Sequence, residues 1–105
     1  PKDEPAEDKV NTTIEEMEGW HIVKAIVRSV IDVKRIAMRD TQSYCGILID
    51  DNNRKPVCRL HFNRTQKYLG IFDQEKNETR HPIESVDDIY SFSDQLKTTA
   101  SQYAA

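Results

Sequence analysis

The sequence is short of the residues from which many binding and catalytic sites are built. It has two cysteines, three glycines and one tryptophan among 105 residues. Two cysteines do not make a disulfide framework, and three glycines set far apart cannot form a glycine-rich phosphate loop. No apolar run approaches the roughly 18 residues that a membrane span needs. These shortages argue against a disulfide-rich scaffold, a phosphate-loop enzyme and a membrane protein.

Composition predicts one water-soluble domain of the cytoplasm. Apolar residues make up 37% of the chain and the mean hydropathy is -0.72. Residues 1–9 contain no large apolar side chain, so we expect a disordered linker at residues 1–11 and a single domain at residues 12–105. The start at Pro1 rather than at Met suggests a domain cut from a longer protein. The two cysteines lie in apolar stretches, which is typical of buried intracellular thiols.

Apolar spacing predicts a helix, a series of short strands and a second helix. Thr13 and Glu16 fit a capping box for a helix that ends near residues 31–32. Ser85 and Asp88 fit a second box, which begins the last helix. Between them, alternation predicts four or five strands at 35–40, 44–50, 57–63, 67–73 and 79–83. We therefore expect an α+β fold: an antiparallel meander of four to five strands, flanked by an N-terminal and a C-terminal helix on one sheet face, which is a two-layer sandwich.

Charge is unevenly distributed along the chain, although the net charge is only -3. Residues 20–70 contain ten Lys or Arg and four Asp, so this segment carries +6 and the remainder carries -9. If the helices cover the sheet face that bears Leu60, the alternating Arg59 and His61 lie on the other face. The predicted nucleic-acid-binding residues on that face and its hairpin tip are Arg39, Arg54, Lys55, Arg59, His61 and Lys67. A solvated sheet face also carries charge for solubility alone, so the prediction depends on their clustering.

A metal-dependent nuclease of the PD-(D/E)xK type would need an Asp at a strand end and an acid-x-Lys on the next strand. Asp50 or Asp51 stands at the right strand end, but the following strand reads Val-Cys-Arg-Leu with no acid before a base. We therefore expect both aspartates to be turn residues, and a degenerate nuclease fold is the less favoured alternative. The cysteines and His61 lack metal-ligand spacing. No catalytic residue, metal ligand or cofactor is predicted in this domain.

Four segments resemble a known family. They are GWHIVKAI at 19–26, MRDTQSYCG at 38–46, DDNNRKPVCRLHFN at 50–63 and PIESVDDIY at 82–90. They are similar to the C-terminal domain of bacterial and archaeal restriction endonuclease-like proteins of type I or type IV. The resemblance implies that a preceding domain, similar to the N-terminal domain of type I restriction R subunits, carries a Mg²⁺-dependent nuclease. It implies no role for this C-terminal domain.

Two functions of different classes follow from these expectations. The first is an accessory DNA-binding or substrate-positioning domain, in which the basic sheet face contacts phosphates and the N-terminal nuclease domain of the parent chain cleaves. The second is a protein-interaction or oligomerisation module, in which the helix faces and the edge strand contact the nuclease domain or a second copy. Exposure of Arg39, Arg59 and Lys67 on one continuous surface would favour the first function, whereas closed salt bridges from them to Asp40, Asp50 or Glu84 would favour the second.

Overall fold

The computed structural model describes residues 13–41, 43–62 and 65–104. The predicted linker at residues 1–11, and residues 63–64 at the end of the strand predicted at 57–63, lie outside this part of the chain. Within it, no helix is both long enough and apolar enough to cross a membrane.

Five strands form one antiparallel sheet, and their order in space is their order along the chain. The strands are β1 (Ile36–Asp40), β2 (Cys45–Ile49), β3 (Pro56–His61), β4 (Lys67–Phe72) and β5 (Glu78–Ile83). The helices are α1 (Ile14–Val27) and α2 (Ser93–Ser101), with short 3-10 helices at Val33–Arg35 and Val86–Phe92. Both α-helices pack on the same face of the sheet. The predicted α+β fold, with an N-terminal and a C-terminal helix on a five-stranded meander, is confirmed.

Helix α1 begins at the predicted capping box. The Thr13 hydroxyl accepts a hydrogen bond from the Glu16 amide at 3.1 Å, and the Glu16 carboxylate accepts one from the Thr13 amide at 2.9 Å. Gly19 lets the helix approach β3, because a β-carbon there would lie 2.7 Å from Leu60 Cδ1. The helix ends at Val27, earlier than predicted. The Val27 carbonyl accepts from the amides of residues 30 and 31, and this turn keeps Ile31 in the core.

The C-terminal segment is not the single helix that the sequence predicts. Asp88 does accept from the Ser85 amide at 3.2 Å, so the segment begins where expected. Its first part is a 3-10 helix, in which residues three apart share a face, and Val86 and Ile89 are both buried. The α-helical spacing starts only at Ser93, after which Leu96 faces the core. The change of helix type keeps one apolar stripe on the sheet.

The register of the strands defines two faces. The covered face lies under the helices and includes Ile36, Cys45, Ile47, Ile49, Cys58, Leu60, Leu69, Ile71 and Ile83. The open face carries the residues between these: Arg39, Gly46, Leu48, Arg59, His61, Tyr68, Gly70, Phe72, Glu78 and Arg80. Strict alternation along β3 would put Val57 on the open face with Arg59, but the register shifts between Ile47 and Leu48, and Val57 belongs to the core. The irregularity at this point explains the error.

Candidate nucleic-acid interface on the open sheet face

Arginine and glycine alternate across the open face, with one residue from each strand. Arg39 pairs with Gly46, Gly46 with Arg59, Arg59 with Gly70, and Gly70 with Arg80. We call these five residues the arginine row. Neighbouring strands lie about 4.8 Å apart, so the backbones of successive arginines are about 10 Å apart and the row is about 19 Å long. The three arginine side chains are 43%, 36% and 50% exposed.

Arg59 lies at the centre of the row and is held by aromatic rings. Its guanidinium carbon lies 4.4 Å from the ring centre of Tyr44 and 5.1 Å from that of Phe72. Such cation–π contacts contribute about 0.5–1 kcal/mol each at partly exposed sites. Neither neighbour in the row has a side chain that could cover the arginine. The guanidinium is therefore ordered and still reachable from solvent.

A single carboxylate bridges the side chains of two arginines and a histidine. One oxygen of Glu78 lies 3.3 Å from Arg59 Nη1, and the other lies 2.6 Å from His61 Nε2 and 3.7 Å from Arg80 Nε. The Glu78 side chain crosses β4 above Gly70, and a β-carbon at that position would collide with the carboxylate. Glycine at position 70 is thus what allows Glu78, on an edge strand, to reach β3.

Arg39 is held by the β2–β3 turn. Its guanidinium donates to Asp51 Oδ1 at 2.7 Å and to Asn53 Oδ1 at 2.6 Å. Asp50 and Asp51 have φ angles of 58° and 53°, which short polar residues tolerate in tight turns, so both are turn residues as expected. Hydrogen bonds from Arg35, and then from Lys55, hold the pKa of Asp50 well below its usual range. The turn therefore fixes Arg39 and engages Lys55 as well.

The six predicted residues do not all share one surface. Arg39 and Arg59 lie on the open face, and Arg54 and Lys55 lie at the hairpin tip. His61 also faces this side, but it is only 2% exposed, so its predicted exposure is wrong. The ring of Tyr44, centred 5.8 Å away, and the Glu78 carboxylate pack against it.

Lys67 is on the covered side, so its predicted position on the open face is wrong. Its ammonium lies 3.5 Å from the Glu15 carboxylate of α1. Period-two alternation puts Lys67 on the same face as the buried Leu69 and Ile71. The prediction grouped the cations by charge alone and did not consider which face each one lies on. Arg80 was missed for the opposite reason, because it belongs to the acidic C-terminal flank. The alternation of Glu78, Arg80 and Pro82 along β5 is the signal that could have identified it.

A concavity of about 530 Å³ opens beside Arg39 and Arg59. Tyr44, Leu48 and Phe72 line its apolar part, and Lys76 lines its rim together with the arginines. The open face is therefore not flat, because it has a basic, partly aromatic depression next to the arginine row.

The cysteines do not form a reactive site. Cys45 and Cys58 are free thiols with no exposed surface on the covered face, whereas His61 faces the other way. Burial raises the pKa of Cys45 to about 12, and burial also raises the pKa of Cys58. Both therefore stay protonated and unreactive at neutral pH. Among the described residues, no group of three or more His, Cys, Asp or Glu could hold a metal ion.

Comparison with known proteins gave no match for this chain among family models, curated proteins or solved structures.

Proposed function

We propose that the open face binds nucleic acid through the arginine row. The domain would serve as an accessory, substrate-positioning part of a restriction endonuclease-like protein, in which another domain cleaves with Mg²⁺. The observation that carries the proposal is the alternation of three exposed arginines with two glycines across all five strands. The free thiols of Cys45 and Cys58 suit a reducing compartment such as the cytoplasm.

The dimensions and chemistry of the row suit a phosphate backbone. At about 3.4 Å per nucleotide along one strand, a row of about 19 Å spans five to six phosphates. A guanidinium offers paired N–H donors that fit phosphate oxygens in a bidentate geometry. Gly46 adds no side chain between Arg39 and Arg59, whereas the Glu78 carboxylate lies over Gly70 and would have to move before a backbone strand could approach closely there.

Arg39, Arg59 and Lys67 do not share one surface, and each forms an ion pair, with Asp51, Glu78 and Glu15 respectively. These are not the pairs with Asp40, Asp50 or Glu84 that would favour the second function. On the open face they reduce the charge without cancelling it. Arg39 is paired with Asp51, while Arg59 and Arg80 share Glu78. Three arginines thus face two carboxylates, and Lys76 adds a further cation at the rim of the concavity. We expect weak, sequence-independent binding with a Kd of roughly 10⁻⁴ to 10⁻⁶ M at physiological salt.

The salt dependence of binding by Arg59 and Lys67 variants tests this proposal. Fluorescence anisotropy with a labelled oligonucleotide, single-stranded and duplex, should give a linear fall of log K with log salt. Arg59→Ala should weaken binding and lower the slope by about one unit. Lys67→Ala removes the same charge from the covered side and is the matched control, so its slope should equal that of the wild type. Equal losses for the two variants would contradict a role for the open face.

Exposed apolar residues on the helix side favour a second candidate, the protein-interaction module. Ile14 is 80% exposed and Tyr90 is 52% exposed. A surface groove of about 580 Å³ beside Tyr90 is lined by acids of α1 and of the C-terminal segment, among them Glu18 and Asp87. Docking through the apolar side chains of Ile14 and Tyr90 would depend little on salt, because salt screens charged contacts and not apolar ones. Sedimentation analysis would support a second copy as the partner if a concentration-dependent dimer formed and Tyr90→Ala abolished it.

A further inference from the structure

Arg59, His61 and Arg80 surround one negative group on the open face. They extend from β3 and β5, and all three contact the carboxylate of Glu78. The Glu78 side chain is 14% exposed, so the carboxylate sits largely within the surface rather than above it. Beneath it, Gly70 contributes backbone but no side chain. The surroundings of this carboxylate are those of a built anion site, with cations at its sides and a glycine floor.

We infer that Arg59, His61 and Arg80 form a phosphate-binding subsite, which the Glu78 carboxylate occupies in the ligand-free protein. The ligand class is a phosphate group, either inorganic phosphate or a backbone phosphate of nucleic acid. The nucleic-acid form of the inference rests on the proposed function, and the inorganic form does not.

A phosphate can replace the carboxylate because the two groups recruit the same donors. Both present oxygens to N–H groups of arginine and histidine, and phosphate offers more of them. Glu78 is the first residue of an edge strand, and its carboxylate reaches the site along the surface. Turning its side chain outward would expose Arg59 and Arg80 to the ligand without disturbing the covered face.

An internal carboxylate competes with every anion for this subsite. The wild-type protein should therefore bind phosphate weakly, because the ligand must first displace Glu78 from its contacts with Arg59, His61 and Arg80. This also accounts for the pairing of Arg59, which is ordered by stacking, and of Arg80 with one shared acid. Removing the charge of Glu78 should open the subsite and raise its affinity for phosphate.

The test is a titration of the 105-residue chain with inorganic phosphate, following the amide signal of Gly70 by two-dimensional ¹H–¹⁵N NMR. Glu78→Gln keeps the shape and a hydrogen-bonding oxygen, and it should lower the Kd for phosphate about tenfold relative to the wild type. Glu84→Gln removes the same charge from an exposed site elsewhere, and it should leave the Kd unchanged. Glu78→Ala, with folding checked in the same spectra, repeats the test without the amide.

Equal affinities for wild type, Glu78→Gln and Glu84→Gln would overturn the subsite. A similar gain for both glutamine variants would also overturn it, because net charge alone would then explain the effect.

A second titration with an oligonucleotide separates the two proposals. If Glu78→Gln gains affinity for phosphate but neither protein binds the oligonucleotide, the subsite stands and the nucleic-acid function fails. If the wild type binds the oligonucleotide and Glu78→Gln shows no gain for either ligand, the function stands and the subsite fails.

Discussion

The two faces of the sheet are built from the same five strands but are stabilised in different ways. The covered face is closed by helices that pack on Ile47, Leu60 and Leu69, each with no exposed surface. No helix lies on the open face within the described residues, yet His61 is 2% exposed and Phe72 is 6% exposed. Arginine, tyrosine and glutamate side chains lie across the strands there and cover one another. A sheet face without helices can therefore still be ordered, through stacking and charge.

The distribution of charge along the chain differs from its distribution on the surface of the folded domain. The cations of residues 20–70 meet acids from the flanks: Glu15 of α1 contacts Lys67, and Glu78 of β5 contacts Arg59. An antiparallel meander brings distant segments side by side, so a segment's excess charge is partly neutralised on folding. What remains on the open face is the arginine row.

The largest expected effect comes from replacing one leucine with alanine on each face of the sheet and comparing the loss of stability. Leu60→Ala would leave a cavity beneath Gly19 of α1 and should lower the free energy of unfolding by about 2–5 kcal/mol. Leu48→Ala on the open face should lower the free energy of unfolding by less. Leu48 is only 7% exposed, but it is not part of the core cluster. Urea unfolding of both variants measures the difference. Equal costs would mean that the open face packs as a second core.

A smaller effect tests how Glu78 crosses the open face. Gly70→Ala inserts a methyl group where the Glu78 carboxylate lies, and it should destabilise the protein by about 1–3 kcal/mol. In a Glu78→Ala background the same change should stabilise by about 0.5 kcal/mol, since alanine suits a strand better than glycine. Thermal unfolding of the four proteins completes the cycle. A loss of the same size in both backgrounds would show that Glu78 does not lie over Gly70.

Much of the fold follows from the sequence because its signals are local. The Thr13–Glu16 capping box, period-two alternation and the Asp50–Asp51 turn each require only a few neighbouring residues. The 3-10 segment from Val86 was not predicted, because i, i+3 spacing in a short stretch also fits an α-helix. The helix end at Val27 was missed for a similar reason, since Ile31 is buried without being helical.

The site was harder to predict than the fold, because it depends on register. Nothing local to Arg39, Arg59 or Arg80 indicates that they align, and the row appears only when all four strand pairings are known. The register shift between Ile47 and Leu48 also means that counting residues along β2 and β3 does not give the correct pairing. Alternation along β4 was enough to place Lys67 on the covered face. The burial of His61 could not be predicted in this way, because it depends on where the Glu78 side chain lies.

The smallest effect concerns Glu16, a buried carboxyl in the first turn of helix α1. Burial raises the pKa of Glu16, and the Asp40 carboxyl raises it further, so the folded protein favours the protonated form. The stability gained from this group is full below the unfolded pKa and is lost as pH rises through the folded pKa. Glu16→Gln should therefore match the wild type near about pH 4 and have the higher Tm near about pH 7.

Glu18→Gln, an exposed change on the same helix, provides the control for Glu16. Its Tm should differ from that of the wild type by the same small amount at both pH values. If Glu16→Gln showed the same pH-independent behaviour, the carboxyl would titrate as it does in the unfolded chain.

The most direct test of the proposed function is to determine which face of the domain binds nucleic acid. A ¹⁵N-labelled sample of the chain is titrated with a short oligonucleotide at low salt, and the backbone and arginine side-chain signals are followed by NMR. We predict that the largest shifts occur at Gly46, Arg59, Gly70 and Arg80, with little change along α1. Shifts confined to α1 and the region of Tyr90, with the arginine row unchanged, would contradict it.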